Sequence, residues 1–145
     1  TFSDLITNRK TDYKFDLEKF TNVNGKTGIY IQYSQVRAKK LLDTLNNQSM
    51  EIKELTLNKI DKQLLSKLFL FSYYLEQSAL LNEPHHLANY LYEISNLFNQ
   101  FYEGEKLSSI NDTNLISSKL YITNLFLTTS HNIMYCLGIL PVDEM

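Results

Sequence analysis

The stretch PHHLANYLYEISNLFNQF, Pro84 to Phe101, decides the fold class. Leu87, Leu91, Ile94, Phe98 and Phe101 recur at three and four rather than two, so they line one face of a helix over four turns. Pro84 suits the first turn, where its missing N–H would be unpaired in any case. The same spacing recurs on either side. Toward the C-terminus, Asn111 or Asp112 is placed to cap a last helix with Ile116, Leu120, Leu127, Met134 and Leu137 as its inner stripe. Gly138 then supplies a left-handed stop before Pro141. Toward the N-terminus, Asp61 is read as the cap of a helix carrying Leu64, Leu65, Leu68, Phe69 and Leu70, and Ser72 as the start of a short one through Leu75, Ala79 and Leu80. A helix from about 29 to 46 precedes these. Residues 1–9 read as the end of a further helix, residues 11–28 as a connector with a short helical piece punctuated by Asn24-Gly25 and Gly28, and residues 46–58 as a loop.

With 4 Gly, 2 Pro and no Trp in 145 residues, the chain reads as all-α throughout, and amphipathic helices joined by short links predict an antiparallel helix bundle. No run is apolar enough to span a bilayer, and the N-terminal TFSDLITNRK is not a secretory signal. It also lacks an initiator Met, which suggests a fragment. Cys136, the only cysteine, falls in an apolar helical pattern and reads as a buried, inert thiol of a cytoplasmic protein. The net charge of −2 conceals a division: residues 1–67 hold 12 basic against 8 acidic groups, a net +4, and the remainder carries −6. An anionic partner would be steered to the first half.

On the helix beginning near residue 29, Ile31, Ser34, Ala38, Leu41, Leu42 and Leu45 share one arc that should face the bundle. Tyr30, Tyr33, Arg37 and Lys40 fall on a neighbouring arc, roughly 110° away by the helical period, at the rim or exposed. Rings at that spacing can stack on unpaired bases while Arg and Lys take phosphate or a base edge, so the stripe suits single-stranded nucleic acid. Rim packing with solvated cations explains the same spacing. His85 and His86 should diverge by about 100° on a helix, and no carboxylate or cysteine at i, i+4 completes a metal set. His86, Asn89, Glu93 and Asn96 share a polar face, solvated or able to support a ligand, and His131 reads as an ordinary helix residue. No P-loop, Rossmann glycine loop, GxSxG, metal array or convergent carboxylate pair occurs. The residues themselves support a binding or interaction module rather than an enzyme.

Three ordered segments then carry a resemblance. FDLEKF followed by NGKTGIYIQYSQVRAKKLL resembles the part of arginyl-tRNA synthetases that leads from the catalytic domain into their DALR-type anticodon-binding domain, usually G-N-T-G-P-Y-L-Q-Y-A-H-A-R. EPHHLANYLYEISNLFNQFYE is similar to the family's E-P-H-x-L-x-x-Y-L-Y-x-L-A-x-x-F-x-x-F-Y. CLGILPVDEM is similar to its L-L-G-I-x-x-P-x-x-M, with methionine last. The resemblance implies a division into residues 1–28, the end of the catalytic domain with its connector, and residues 29–145, the helical anticodon-binding domain.

It further implies that Tyr30 and Arg37 contact the anticodon loop of the tRNA for arginine, that Tyr33 supports them, and that Tyr90 and Met145 line the same surface. Ile29 departs from the usual Pro, Ser34-Gln35 from the usual A-H, leaving any role of that histidine lost or taken by the amide, and Asp143-Glu144 put acid before the final Met. The parent enzyme would join arginine to its tRNA with ATP and Mg in a catalytic domain of the same chain. This portion would be non-catalytic, without cofactor, metal or membrane contact of its own. The alternatives left open are a helical protein–protein interaction module and the same domain of another class I synthetase, such as the cysteine enzyme.

Overall fold

The computed structural model describes residues 1–12, 18, 25–45, 54–104, 112–142 and 144. Among these the elements are α1 (Phe2–Leu5), α2 (Gly28–Leu45), α3 (Lys59–Leu68), α4 (Phe71–Leu81), α5 (His85–Gly104) and α6 (Thr113–Cys136), with no strand. The expected helical piece inside the connector, the loop at 46–53, Asn111, Asp143 and Met145 lie outside the described residues.

The helix α5 is the axis of the bundle, and each of the other described helices packs against it. Its predicted stripe of Leu87, Leu91, Ile94, Phe98 and Phe101 is buried, and Ala88, Tyr90, Ser95 and Asn99 widen the buried arc. A helix covered on several sides needs that wider arc. Phe98 stacks on Phe126 of α6 with ring centroids 4.1 Å apart and planes 4° from parallel. The directions refine the expected antiparallel arrangement. Ser130 of α6 reaches back to Gln35, and Gln32 to Leu140, so α2 and α6 are antiparallel. Tyr30 meets Asn96 while Arg37 meets Asn99 and Glu103, so α2 and α5 run parallel. The intervening 46–84 segment, with α3 and α4, provides the length for that return.

The longest helix, α6, buries Ser117, Ser118, Thr123, Thr129 and Ser130 beside its apolar residues. Their small size allows close approach of α2, α3 and α5. The hydroxyls of Ser118, Thr123 and Ser130 donate to the carbonyls of Asn114, Lys119 and Phe126 at 2.7–2.8 Å, so no polar hydrogen is stranded there. Asp112 caps the helix as expected, accepting from the N–H groups of Asn114 and Leu115. At the other end Gly138 has φ 68°, and Gly138 and Ile139 donate to Tyr135 and Met134, a Schellman stop.

Two expectations are corrected. Asp61 does not cap α3: Asn58 does, in a capping box whose third helical residue is Asp61, each side chain accepting from the other's backbone N–H at 3.0 Å. The other oxygen of Asp61 accepts from Lys119 at 2.7 Å, and both side chains are almost wholly buried. Cys136 is exposed rather than buried, because the final turn of α6 passes the end of the bundle and Tyr135 and Cys136 point outward while Ile133 and Met134 point in.

Candidate nucleic-acid interface

The seam between α2 and α5 holds the tyrosine and arginine stripe. Thr27 starts it, its hydroxyl accepting from the N–H of Tyr30 at 3.2 Å in the first turn of α2. Ile31, Ser34 and Ala38 of the predicted inner arc are buried, Leu41 and Leu42 half-buried, and Gln35 and Val36 are buried as well. The register thus turns the neighbouring arc toward α5 and solvent. Tyr30 is half-buried, its ring 5.6 Å from that of Tyr92 and its hydroxyl donating to Asn96 at 3.3 Å. Lys26 lies beside the same pair, its ammonium 5.4 Å above the Tyr92 ring.

Two turns further along, Arg37 lies against two rings, with Cζ 4.3 Å from the centroid of Tyr33 and 5.0 Å from that of Tyr102. Each tyrosine is 37% exposed, enough to offer ring surface to a base. The guanidinium donates to Asn99 at 3.2 Å and to Glu103 at 2.8 Å. Asn99 is itself oriented by donating to the Ser34 hydroxyl at 2.9 Å. Partial burial opposes the arginine's charge, but the Glu103 carboxylate and Tyr33 hold its pKa above the ordinary arginine value. Lys40 follows, exposed, on the same stripe. The rings pack on the arginine, whose own side chain is 20% exposed, so the cluster lies at the rim of the bundle.

Other expected site residues lie elsewhere. Tyr90 has no exposed surface, and its hydroxyl donates to the main-chain carbonyls of Lys67 and Leu68 at 2.9 and 3.2 Å. Its ring stacks on Tyr74 at 4.4 Å, on the flank of α5 that faces α3 and α4. Burial pushes its phenol pKa up, and the residue is a core prop rather than a surface for RNA. Gln35 likewise points inward, its amide 2.8 Å from the Ser130 hydroxyl, so it does not replace a surface histidine.

Asn89 is tied to the backbone, donating to Ile6 and His85. His86 pairs with Glu83 at 3.2 Å. Both stand near the start of α5, His86 about 20 Å and Asn89 about 15 Å along its axis from Asn99. The expected divergence of His85 and His86 is not observed: their rings lie 4.2 Å apart, because Glu83, outside the helix, folds its carboxylate back toward both. Sequence reasoning missed Tyr102, Asn99 and Glu103, whose positions depend on the parallel crossing of α2 and α5. The role of Gln32 was also hidden. Its amide donates to the Leu140 carbonyl at 2.8 Å and accepts from the Val142 N–H at 3.0 Å, holding the C-terminal segment along α2.

The sequence model described as "DALR anticodon binding domain" matches residues 31–145, which contain Tyr33, Arg37, Lys40, Asn99, Tyr102 and Glu103. The chain belongs to the DALR anticodon-binding domain family. Among curated relatives of this DALR chain, the arginine–tRNA ligase of Francisella tularensis subsp. novicida is 34% identical over 127 residues, 82% of this chain and 22% of that protein. The arginine–tRNA ligase of Frankia casuarinae is 31% identical over 145 residues, 99% of this chain and 24% of its own length. The chain thus spans about a quarter of the length of the curated relatives it matches.

Solved structures agree on the bundle. The Thermus thermophilus arginyl-tRNA synthetase superposes with a TM-score of 0.87 at 21% identity, over 99% of this chain and 25% of that one. The Plasmodium falciparum arginyl-tRNA synthetase superposes with a TM-score of 0.80 at 26% identity, over 99% and 26% respectively. Among the described residues, no helix is long and apolar enough to cross a membrane.

Proposed function

We propose that this DALR domain is the tRNA-binding portion of an arginine–tRNA ligase, and that the Tyr33–Arg37–Tyr102 cluster grips the anticodon arm of the tRNA for arginine. The observation that carries this reading is one guanidinium held against two half-exposed tyrosine rings, inside the segment that matches the family. Unpaired bases stack on tyrosine at about 1–3 kcal/mol each, and arginine supplies charge for phosphate or a base edge. Tyr30 and Lys40 extend the contact at either end. Met145, outside the described residues, stays a candidate through the family pattern alone.

In this reading Glu103 occupies the arginine until RNA arrives, and phosphate or a base edge takes its place. Replacing Glu103 by Gln removes a negative charge from an RNA-facing site, so tRNA affinity should rise several-fold. A carboxylate that instead orients Arg37 for binding would give a loss. The parent enzyme would perform arginine activation in a separate catalytic domain of a longer cytoplasmic chain, where ATP and Mg belong. Residues 1–28 would lead from it, although Phe2 is already buried against this bundle.

A competition experiment tests the assignment. The chain should prefer the tRNA for arginine over an unrelated tRNA, and Tyr33→Ala and Tyr102→Ala should each weaken that binding by about 1–3 kcal/mol with helical content unchanged. Equal affinity for both tRNAs, unaffected by either substitution, would remove the basis for the reading.

A further inference from the structure

We propose that Glu83, His85 and His86 form a divalent-metal site of the zinc class at the junction of α4 and α5. One ligand atom from each lies within 4.8 Å of the others. The side chains are 12%, 15% and 35% exposed, so the three donors are sheltered yet reachable. Zinc bound at 2.0–2.1 Å in tetrahedral geometry places its ligand atoms about 3.3 Å apart. Glu83 Oε2 is already 3.2 Å from His86 Nε2 and 4.0 Å from His85 Nε2. Binding an ion requires the 4.0 Å separation of His85 Nε2 from Glu83 Oε2 to shorten by about 0.7 Å. Two imidazoles and one carboxylate then leave a fourth position for water.

The local structure favours these donors. Asn82 takes the left-handed conformation at φ 53°, reversing the chain after α4 and setting Glu83 beside the two rings. Lys10 donates to the other carboxylate oxygen at 2.7 Å, fixing the group while leaving Oε2 free of that contact. The ammonium of Lys10 and the N-terminal end of α5 both oppose a cation. That opposition makes a distinguishing prediction.

His86 also occupies the variable position of the E-P-H-x pattern, which makes the donor set a property of this chain. An ion here would fasten the N-terminal segment, already attached through Lys10 and Ile6, to the start of α5.

The test is titration of the 145-residue chain with Zn²⁺ by calorimetry and with Co²⁺ by its visible absorption. One ion per chain should bind, Zn²⁺ should raise the melting temperature, and His86→Ala and Glu83→Gln should each lower affinity at least about tenfold. Lys10→Gln should tighten binding, because it removes a positive charge from beside the ion. His86→Ala alters a partly exposed side chain and circular dichroism checks that it stays folded. Absence of stoichiometric binding, or binding that survives His86→Ala undiminished, would overturn the site. Binding to His131 or the exposed Cys136 would register as that second result.

Discussion

Replacing Lys119 by Ala is expected to lower the free energy of unfolding by about 3–5 kcal/mol, the usual consequence of removing one partner of a buried ion pair. The Lys119 and Asp61 side chains are 2% and 0% exposed, and their atoms meet at 2.7 Å. The ammonium also lies 4.6 Å from the centroid of the Phe101 ring. Alanine strands the Asp61 carboxylate away from water with only the N–H of Asn58 left among these contacts. It also opens space between α3, α5 and α6. The double variant Asp61→Asn, Lys119→Met removes both charges and keeps an acceptor for the α3 cap, so it should recover much of the loss. Urea unfolding followed by circular dichroism measures both. A loss below about 1 kcal/mol for Lys119→Ala would mean that water reaches the pair.

Tyr90→Ala should be comparably severe, about 3–5 kcal/mol, since it empties a fully buried aromatic site and removes the stacking partner of Tyr74. Its conservative counterpart separates structure from function. Tyr90→Phe keeps the ring but leaves the carbonyls of Lys67 and Leu68 without the phenol, at a cost of about 1–3 kcal/mol. Because no part of Tyr90 reaches the surface, Tyr90→Phe should bind tRNA as the unchanged protein does. A selective loss of tRNA binding in a folded Tyr90→Phe protein would restore the surface role that the family pattern implies and the observed burial denies. Lys67 flanks this site, linked to Tyr74 and Glu93, so the α3–α5 contact is polar at its edge and aromatic at its centre.

The helical class was legible because burial follows a 3.6-residue period that local sequence preserves. Leu87, Leu91, Ile94, Phe98 and Phe101 were readable as a face, and α2 spans 28–45 where periodicity predicts about 29 to 46. Gly138 was readable because its left-handed turn is a local requirement. What escaped depends on partners distant in the chain. The Asn58–Asp61 capping box is local, but the second role of Asp61 appears only when Lys119, 58 residues away, is brought against its other oxygen. Cys136 shares an apolar neighbourhood with Met134 yet lies on the outer side of the same turn. Tyr102 and Glu103 become part of the arginine cluster only through the parallel packing of α2 and α5, which an expectation of strictly antiparallel neighbours obscures. The tyrosine–arginine stripe was visible as spacing, but the stacking of Arg37 between two rings was not.

The most direct test is to measure affinity of the tRNA for arginine across a salt series, for the unchanged chain and for Arg37→Ala. Each phosphate neutralised contributes close to one counterion to the slope of log affinity against log salt. The account predicts steep weakening with salt for the unchanged chain, and for Arg37→Ala a loss of about 1–3 kcal/mol with a slope shallower by about one. A folded Arg37→Ala chain with unaltered affinity and slope would contradict the claim that this cluster holds the RNA.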